Sequence, residues 1–158
     1  MEKQLLIFIR YISSQMTIQN IADNFGVSEY TVFDIVKRVA DEICEQLMPK
    51  YITWPEEERV NEIVNDFRNH RGFPGVIGAI DGSHIPIKTP KSYPENYISR
   101  KSFASVNLQT VCDSNMHLLD VFCDWPGSVH DARVMQNSPL YVKIEVDMES
   151  VSLETRIF

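Results

Sequence analysis

Hydrophobic periodicity changes once along this chain, at Arg71, and that change limits the possible folds more than any other feature. Before it, apolar residues recur at helical spacing. After it they run continuously or alternate, as strands do. Gly72, Pro74 and Gly75 mark the seam. Helices followed by strands predict an α+β protein, with a helical domain over 1–70 and a sheet-bearing domain over 71–158. The 158 residues give room for one ordinary domain or two small ones, and 44% hydrophobic with 23% charged residues excludes a disordered chain.

In the first half, Leu5, Leu6, Ile9 and Ile12 predict a short amphipathic helix over 3–14. Thr17 is a good N-cap for a second helix that buries Ile21, Ala22 and Phe25 and stops at Gly26. Ser28 caps a longer third helix carrying Val32, Ile35, Val36, Val39 and Ile43. A fourth, around 55–70, starts at Pro55 with Glu56, Glu57 and Glu58 in its first turn, where the helix dipole favours negative charge. Segment 17–36 has the spacing of a helix-turn-helix. The start of its second helix presents Glu29, Tyr30, Thr31, Phe33 and Asp34, none of them a usual base reader. Lys37 and Arg38 come later and can reach phosphates only. DNA contact and a packing or dimerisation role both stay open.

In the second half, Val76–Ile80 is a short apolar run, as in a buried strand, and Asp81-Gly82 follows it. An aspartate at the end of such a strand must be paired, hydrogen-bonded or bound to a cation, and an Asx-turn is the plainer alternative. Residues 103–112 alternate, with Val106, Leu108 and Thr110 on one face and Ser105, Asn107 and Gln109 on the other. With a turn at Asp113-Ser114-Asn115 and a strand over Leu118–Cys123, they predict a β-hairpin. Residues 128–137 read as a helix ended by Pro139. Ser128 and Asp131 have capping-box spacing, which competes with a ligand role for Asp131. His84 and His130 each lie near a candidate aspartate, whereas His70 and His117 read as surface or turn residues. Arg100-Lys101 sits in a loop, able to hold a phosphate backbone or simply to be solvated.

A net charge of −7 argues against non-specific nucleic-acid binding by the whole chain, although residues 101–158 hold eight acidic and four basic residues and so most of the surplus. Cys44, Cys112 and Cys123 lack metal-ligand spacing and predict buried thiols in a reducing compartment. The longest apolar run near the start, Leu5–Ile9, is too short for a membrane span or a signal peptide, so no membrane partner is expected.

Residues 72–141 resemble the DDE-superfamily nucleases of the PIF/Harbinger transposase group. The resemblance rests on Gly78-Ala79-Ile80-Asp81-Gly82-Ser83-His84-Ile85-Pro86-Ile87, on Arg100-Lys101 with Ser105-Val106-Asn107-Leu108-Gln109, and on Val111-Cys112-Asp113 with Leu119-Asp120-Val121. It is most specific in Trp125-Pro126-Gly127-Ser128-Val129-His130-Asp131-Ala132-Arg133-Val134. A helix-turn-helix ahead of the core also fits that group.

The resemblance implies the first part of an RNase H-like mixed sheet whose first strand delivers a catalytic aspartate, Asp81. It also implies a second metal-binding aspartate, Asp131. Such nucleases hydrolyse DNA phosphodiester bonds with two divalent cations, Mg²⁺ or Mn²⁺, about 3.5–4 Å apart. It further implies a Myb-like DNA-binding partner and a nuclear or nuclear and cytoplasmic location; the residues themselves offer Lys37, Arg38, Arg100 and Lys101 as nucleic-acid contacts and the helices of 1–50 as a homodimer surface. The group's later Gly-Asp-Ser/Ala-Gly-Tyr and Glu-Arg-x-Phe-Gly patterns do not occur, and Glu145, Asp147, Glu149 and Glu154 lack the flanking motif. Ser102 stands where the group commonly has glycine. With that catalytic set, residues 1–158 are expected to cleave little or nothing; the alternative is a non-catalytic DNA- or protein-binding module.

Overall fold

The computed structural model describes residues 2–150 and 156–157, and the chain divides into two units, Met1–Tyr51 and Ile52–Phe158. The first unit holds α1 (Glu2–Ser13), α2 (Ile18–Phe25) and α3 (Glu29–Glu42); α3 continues through a π-helical stretch, Ile43–Leu47, into the short α4 (Met48–Tyr51). Thr17 Oγ1 accepts the Asn20 N–H at 3.2 Å and Ser28 Oγ accepts that of Thr31 at 3.1 Å, so both expected caps form. Between them Gly26 takes φ 60°, a left-handed conformation, and its N–H reaches back to the end of α2. Ile7, Ile21, Ala22, Val32 and Ile35 form the core of this unit.

The face of α1 differs from the predicted one. Ile7 and Phe8 are buried, whereas Leu5, Leu6, Ile9 and Ile12 are between 45% and 63% exposed. Helical spacing fitted two overlapping apolar stripes, and only packing selects between them.

The second unit holds α5 (Glu57–Asp66), α6 (Asp131–Gln136), α7 (Pro139–Ser150) and the strands β1 (Val76–Pro86), β2 (Ser105–Cys112), β3 (Leu118–Pro126) and β4 (Arg156–Ile157). The sheet order is β3-β2-β1-β4, with β1, β2 and β3 antiparallel and β4 parallel to β1. This is a mixed α and β architecture, as the change in periodicity predicted. Helix α5, assigned by sequence to the helical half, packs in this unit instead: its Ile63, with Phe67 just beyond, joins Val76, Val111, Leu119 and Leu140 in one core. Each such side chain contributes about 1.5–3 kcal/mol when fully buried, which fixes α5 to the sheet.

Three further differences bear on function. β1 runs on from Ile80 to Pro86 because β2 pairs with it at every position from Ala79 to Pro86. Pro139 opens α7 rather than closing the preceding helix; its missing N–H is harmless at a first position. Of the three free cysteines, Cys44 and Cys123 are exposed, against the expectation of buried thiols. Among the described residues no helix is long and apolar enough to cross a membrane.

Candidate functional site

Strand β2 carries the least expected burial in the protein. Its alternation is as predicted, but the polar face is the one turned inward: Ser105, Asn107 and Gln109 are at most 4% exposed. Polar side chains at that depth need partners, because an unmet group leaves its desolvation uncompensated. Ser105 Oγ lies 3.3 Å from His84 Nδ1, and the Asn107 Nδ2–H donates to Asp131 Oδ1 at 2.9 Å and to Val129 O at 3.4 Å. Yet Asn107 Oδ1 and Gln109 Nε2 are buried without a partner among the described residues.

These amides line a cleft of about 320 Å³ between β1, β2 and α6, together with Ile80, Asp81, Gly82, Asp131, Ala132, Val134 and Met135. Asp81 comes from β1, where its Oδ1 accepts the Gly82 N–H at 2.9 Å, the local bond of the plainer reading. Asp131 comes from the first turn of α6. Its carboxylate stands against Gly82: a Cβ built on that glycine would lie 2.6 Å from Oδ1. Glycine is needed here for close approach, and its φ is not in the left-handed region. Two aspartates fifty positions apart in sequence thus meet in one cleft, both exposed enough to take a ligand.

The capping alternative for Asp131 does not form. α6 begins at Asp131 itself, its N-cap is His130, and no side chain caps it. Ser128 is therefore outside the helix, and the Asp131 carboxylate is directed to Asn107 and the cleft instead.

The other predicted residues lie elsewhere. Arg100 and Lys101 are exposed in the tight turn before β2, where Ser99 N–H donates to Phe103 O at 2.9 Å. Ser102 in that turn has φ 62°, which glycine adopts without strain and serine does not, so glycine at this position has a backbone origin. Lys37 and Arg38 are exposed on α3 in the first unit, with Arg38 Nη1 3.9 Å from Asp34 Oδ2. Arg133 stacks over the Trp125 ring at 6.0 Å from its centroid. His84 meets Phe103 edge-on at 6.4 Å. Among the described residues no group of three or more His, Cys, Asp or Glu side chains converges. The side chains of Glu145, Asp147 and Glu149, and the whole of Glu154, lie outside the described residues.

Asn107 and Gln109 are the site residues that the sequence reading quoted without assigning a role. The signal was present: two amides at i and i+2 on an alternating strand, in register with His84 and Gly82 of β1. The Asp131 partner of Asn107 comes from a helix that strand periodicity cannot position.

Comparison with known proteins bears on the same segment. Residues 80–154, which include Asp81, Asn107 and Asp131, match the family described as DDE superfamily endonuclease. The Rattus norvegicus protein named "Putative nuclease HARBI1" is 32% identical over 148 residues, 93% of this chain and 42% of that protein. Its Homo sapiens counterpart is 30% identical over 152 residues, 96% of this chain and 43% of the relative. The Arabidopsis thaliana "Protein ALP1-like" is 32% identical over 145 residues, 90% and 35% of the two chains. The chain spans less than half the length of these relatives. No solved structure matches it.

Proposed function

Because the chain belongs to the Harbinger-derived DDE superfamily endonucleases, we propose that the cleft between β1, β2 and α6 is its metal-dependent nuclease site, acting on DNA phosphodiester bonds. The observation that carries this reading is the meeting of Asp81 and Asp131 in one cleft. Among the described residues the oxygen and nitrogen donors there are carboxylates and amides, with neither Cys nor His. Oxygen donors suit a hard cation, Mg²⁺ or Mn²⁺, which keeps several of its waters and accepts phosphate oxygens as further ligands. The residues fit one such ion, held by Asp81 and Asp131. When bound, it supplies charge stabilisation at phosphorus and a water of lowered pKa.

A second cation needs further carboxylates than the two that line the cleft among the described residues. Residues 1–158 therefore bind a cation more readily than they cut DNA. The test is titration of the full chain with Mn²⁺, followed by paramagnetic resonance, alongside nicking of supercoiled plasmid. Binding that is lost in both Asp81→Asn and Asp131→Asn is expected, with little nicking. Unchanged binding in both variants refutes the site. Vigorous nicking abolished by Asp81→Ala keeps the site and refutes the low turnover.

The mixed sheet with Asp81 on its first strand supports an RNase H-like core. In the first unit, the α2–Gly26–α3 arrangement supports a helix-turn-helix, with Lys37 and Arg38, and in the second unit Arg100 and Lys101, as phosphate contacts. A specific observation also favours a binding role for the first unit that needs no catalysis. Tyr30 and Phe33, at the start of α3, are 77% and 57% exposed. Such aromatics suit a partner surface, a Myb-like DNA-binding protein or a second copy of the chain. On this reading the protein works in the nucleus, with the cytoplasm as its other location; imaging of the tagged full-length protein tests this.

A further inference from the structure

We propose that Asn107 is a cation ligand as well as the residue that positions Asp131: its side-chain oxygen is the neutral third ligand of the cation site. The inference rests on the reading of the cleft as a metal site and adds to it a residue outside the acidic pair. Asn107 is 1% exposed, in the middle of β2 and on the floor of the cleft. Its orientation follows from its neighbours. Asp131 Oδ1 at 2.9 Å and Val129 O at 3.4 Å are both acceptors, so the amide nitrogen must face them. The reversed amide would set oxygen against a carboxylate and a carbonyl.

The oxygen is then directed away from both, buried, and without a partner among the described residues. A buried amide oxygen left unmet is unfavourable, and a hard cation meets that need: carboxylate and amide oxygens together are ordinary ligands for such ions. The same side chain holds a ligating carboxylate through its nitrogen. Gln109, next on the same face, leaves its Nε2 equally unpartnered, so the floor is built for a polar occupant rather than for dry packing.

The test is Mn²⁺ binding to the full 158-residue chain, read by paramagnetic resonance and by the rise in melting temperature with Mn²⁺, with folding checked by circular dichroism. Asn107→Ala is expected to weaken Mn²⁺ binding by about 10–100-fold, the usual effect of removing such support from a ligating group. Asn107→Asp separates ligation from packing. Without metal two carboxylates face each other and the melting temperature falls. With Mn²⁺ both can ligate, and the rise should exceed that of the parent.

If Asn107 is only structural, Mn²⁺ does not restore Asn107→Asp beyond the parent's gain, and folded Asn107→Ala binds within twofold of the parent. Either result overturns the inference and leaves the carboxylate site standing. A parent chain that does not bind Mn²⁺ at all removes the carboxylate reading, and this inference with it.

Discussion

Gly82→Ala places a methyl group 2.6 Å from Asp131 Oδ1 and 2.8 Å from its Cγ. To reach 3.4 Å, where ordinary van der Waals contact begins, the carboxylate must retreat by roughly 0.8 Å. If it moves along the line to Asn107 Nδ2, that 2.9 Å hydrogen bond lengthens beyond reach; if it swings sideways, its angle fails. Either way Asp131 leaves the position from which it serves the cleft. The fold should scarcely notice. The obstructing atoms end one side chain rather than belonging to backbone, and Gly82 is not in a left-handed conformation. Alanine also lowers the entropy of the unfolded chain, worth about 0.4–1 kcal/mol in favour of folding.

The expected outcome is Mn²⁺ affinity reduced at least about tenfold, or roughly 1.4 kcal/mol. The melting temperature should stay within about 2–4 °C, the equivalent of 1 kcal/mol for a protein of this size. Calorimetric titration and a thermal melt on the same sample measure both. A variant that melts normally and binds Mn²⁺ like the parent would refute the argument, because Asp131 would then be displaced without consequence.

Gly78→Ala, on the same face of β1, should behave oppositely. Its new methyl meets Val111 Cγ1 at 2.7 Å inside the core, so urea unfolding should show a loss of about 1–3 kcal/mol, with unchanged Mn²⁺ affinity in the folded fraction. Asp113 gives a pH signature. Burial raises its pKa, but hydrogen bonds from the His117 N–H and ring and from the Asn115 N–H outweigh this and hold it below the ordinary carboxylate value. A lowered folded pKa stabilises the protein above the unfolded value of about 3.9, and that contribution is lost as pH falls through the folded value. Asp113→Asn should therefore be less stable at neutral pH, and its melting temperature should fall less than the parent's between pH 5 and acid conditions. Replacing Lys37 and Arg38 together by alanine should weaken DNA binding measured by fluorescence anisotropy and lower its salt dependence, with the melting temperature unchanged because both are exposed.

Much of the architecture was legible because it is local. Thr17, Ser28 and Gly26 act within their own turns, and the β2–β3 turn is closed by Asp113 through its near neighbours Asn115 and His117. What was not legible depends on distant partners. Leu5 and Ile9 fit an apolar stripe as well as Ile7 does, and only α2 and α3 decide between them. The spacing of Ser128 and Asp131 is that of a capping box until α6 starts three residues late and Asn107 captures the carboxylate. Asp81 stood out because a charge at the end of an apolar strand is expensive. Asn107 and Gln109 did not, because neutral amides on an alternating strand read as its solvent face, and their inward turn is set by α6 lying over them.

The β1–β2 ladder is unbroken from Ala79 to Pro86, whereas β2–β3 shifts register twice. The cleft therefore has a floor held by a continuous backbone ladder and a wall held by side-chain contacts. Asp81, Gly82, Asn107 and Gln109 are fixed relative to one another by the ladder. Asp131 rides on a six-residue helix that bonds to that floor through Asn107, with Val134 fully buried and Met135 packed against the core. Amide hydrogen exchange should be slower along the laddered β1 and β2 than in the six-residue α6. In such a site an incoming ligand meets a sheet that is already set, and the Asn107–Asp131 contact is the point at which floor and wall are joined.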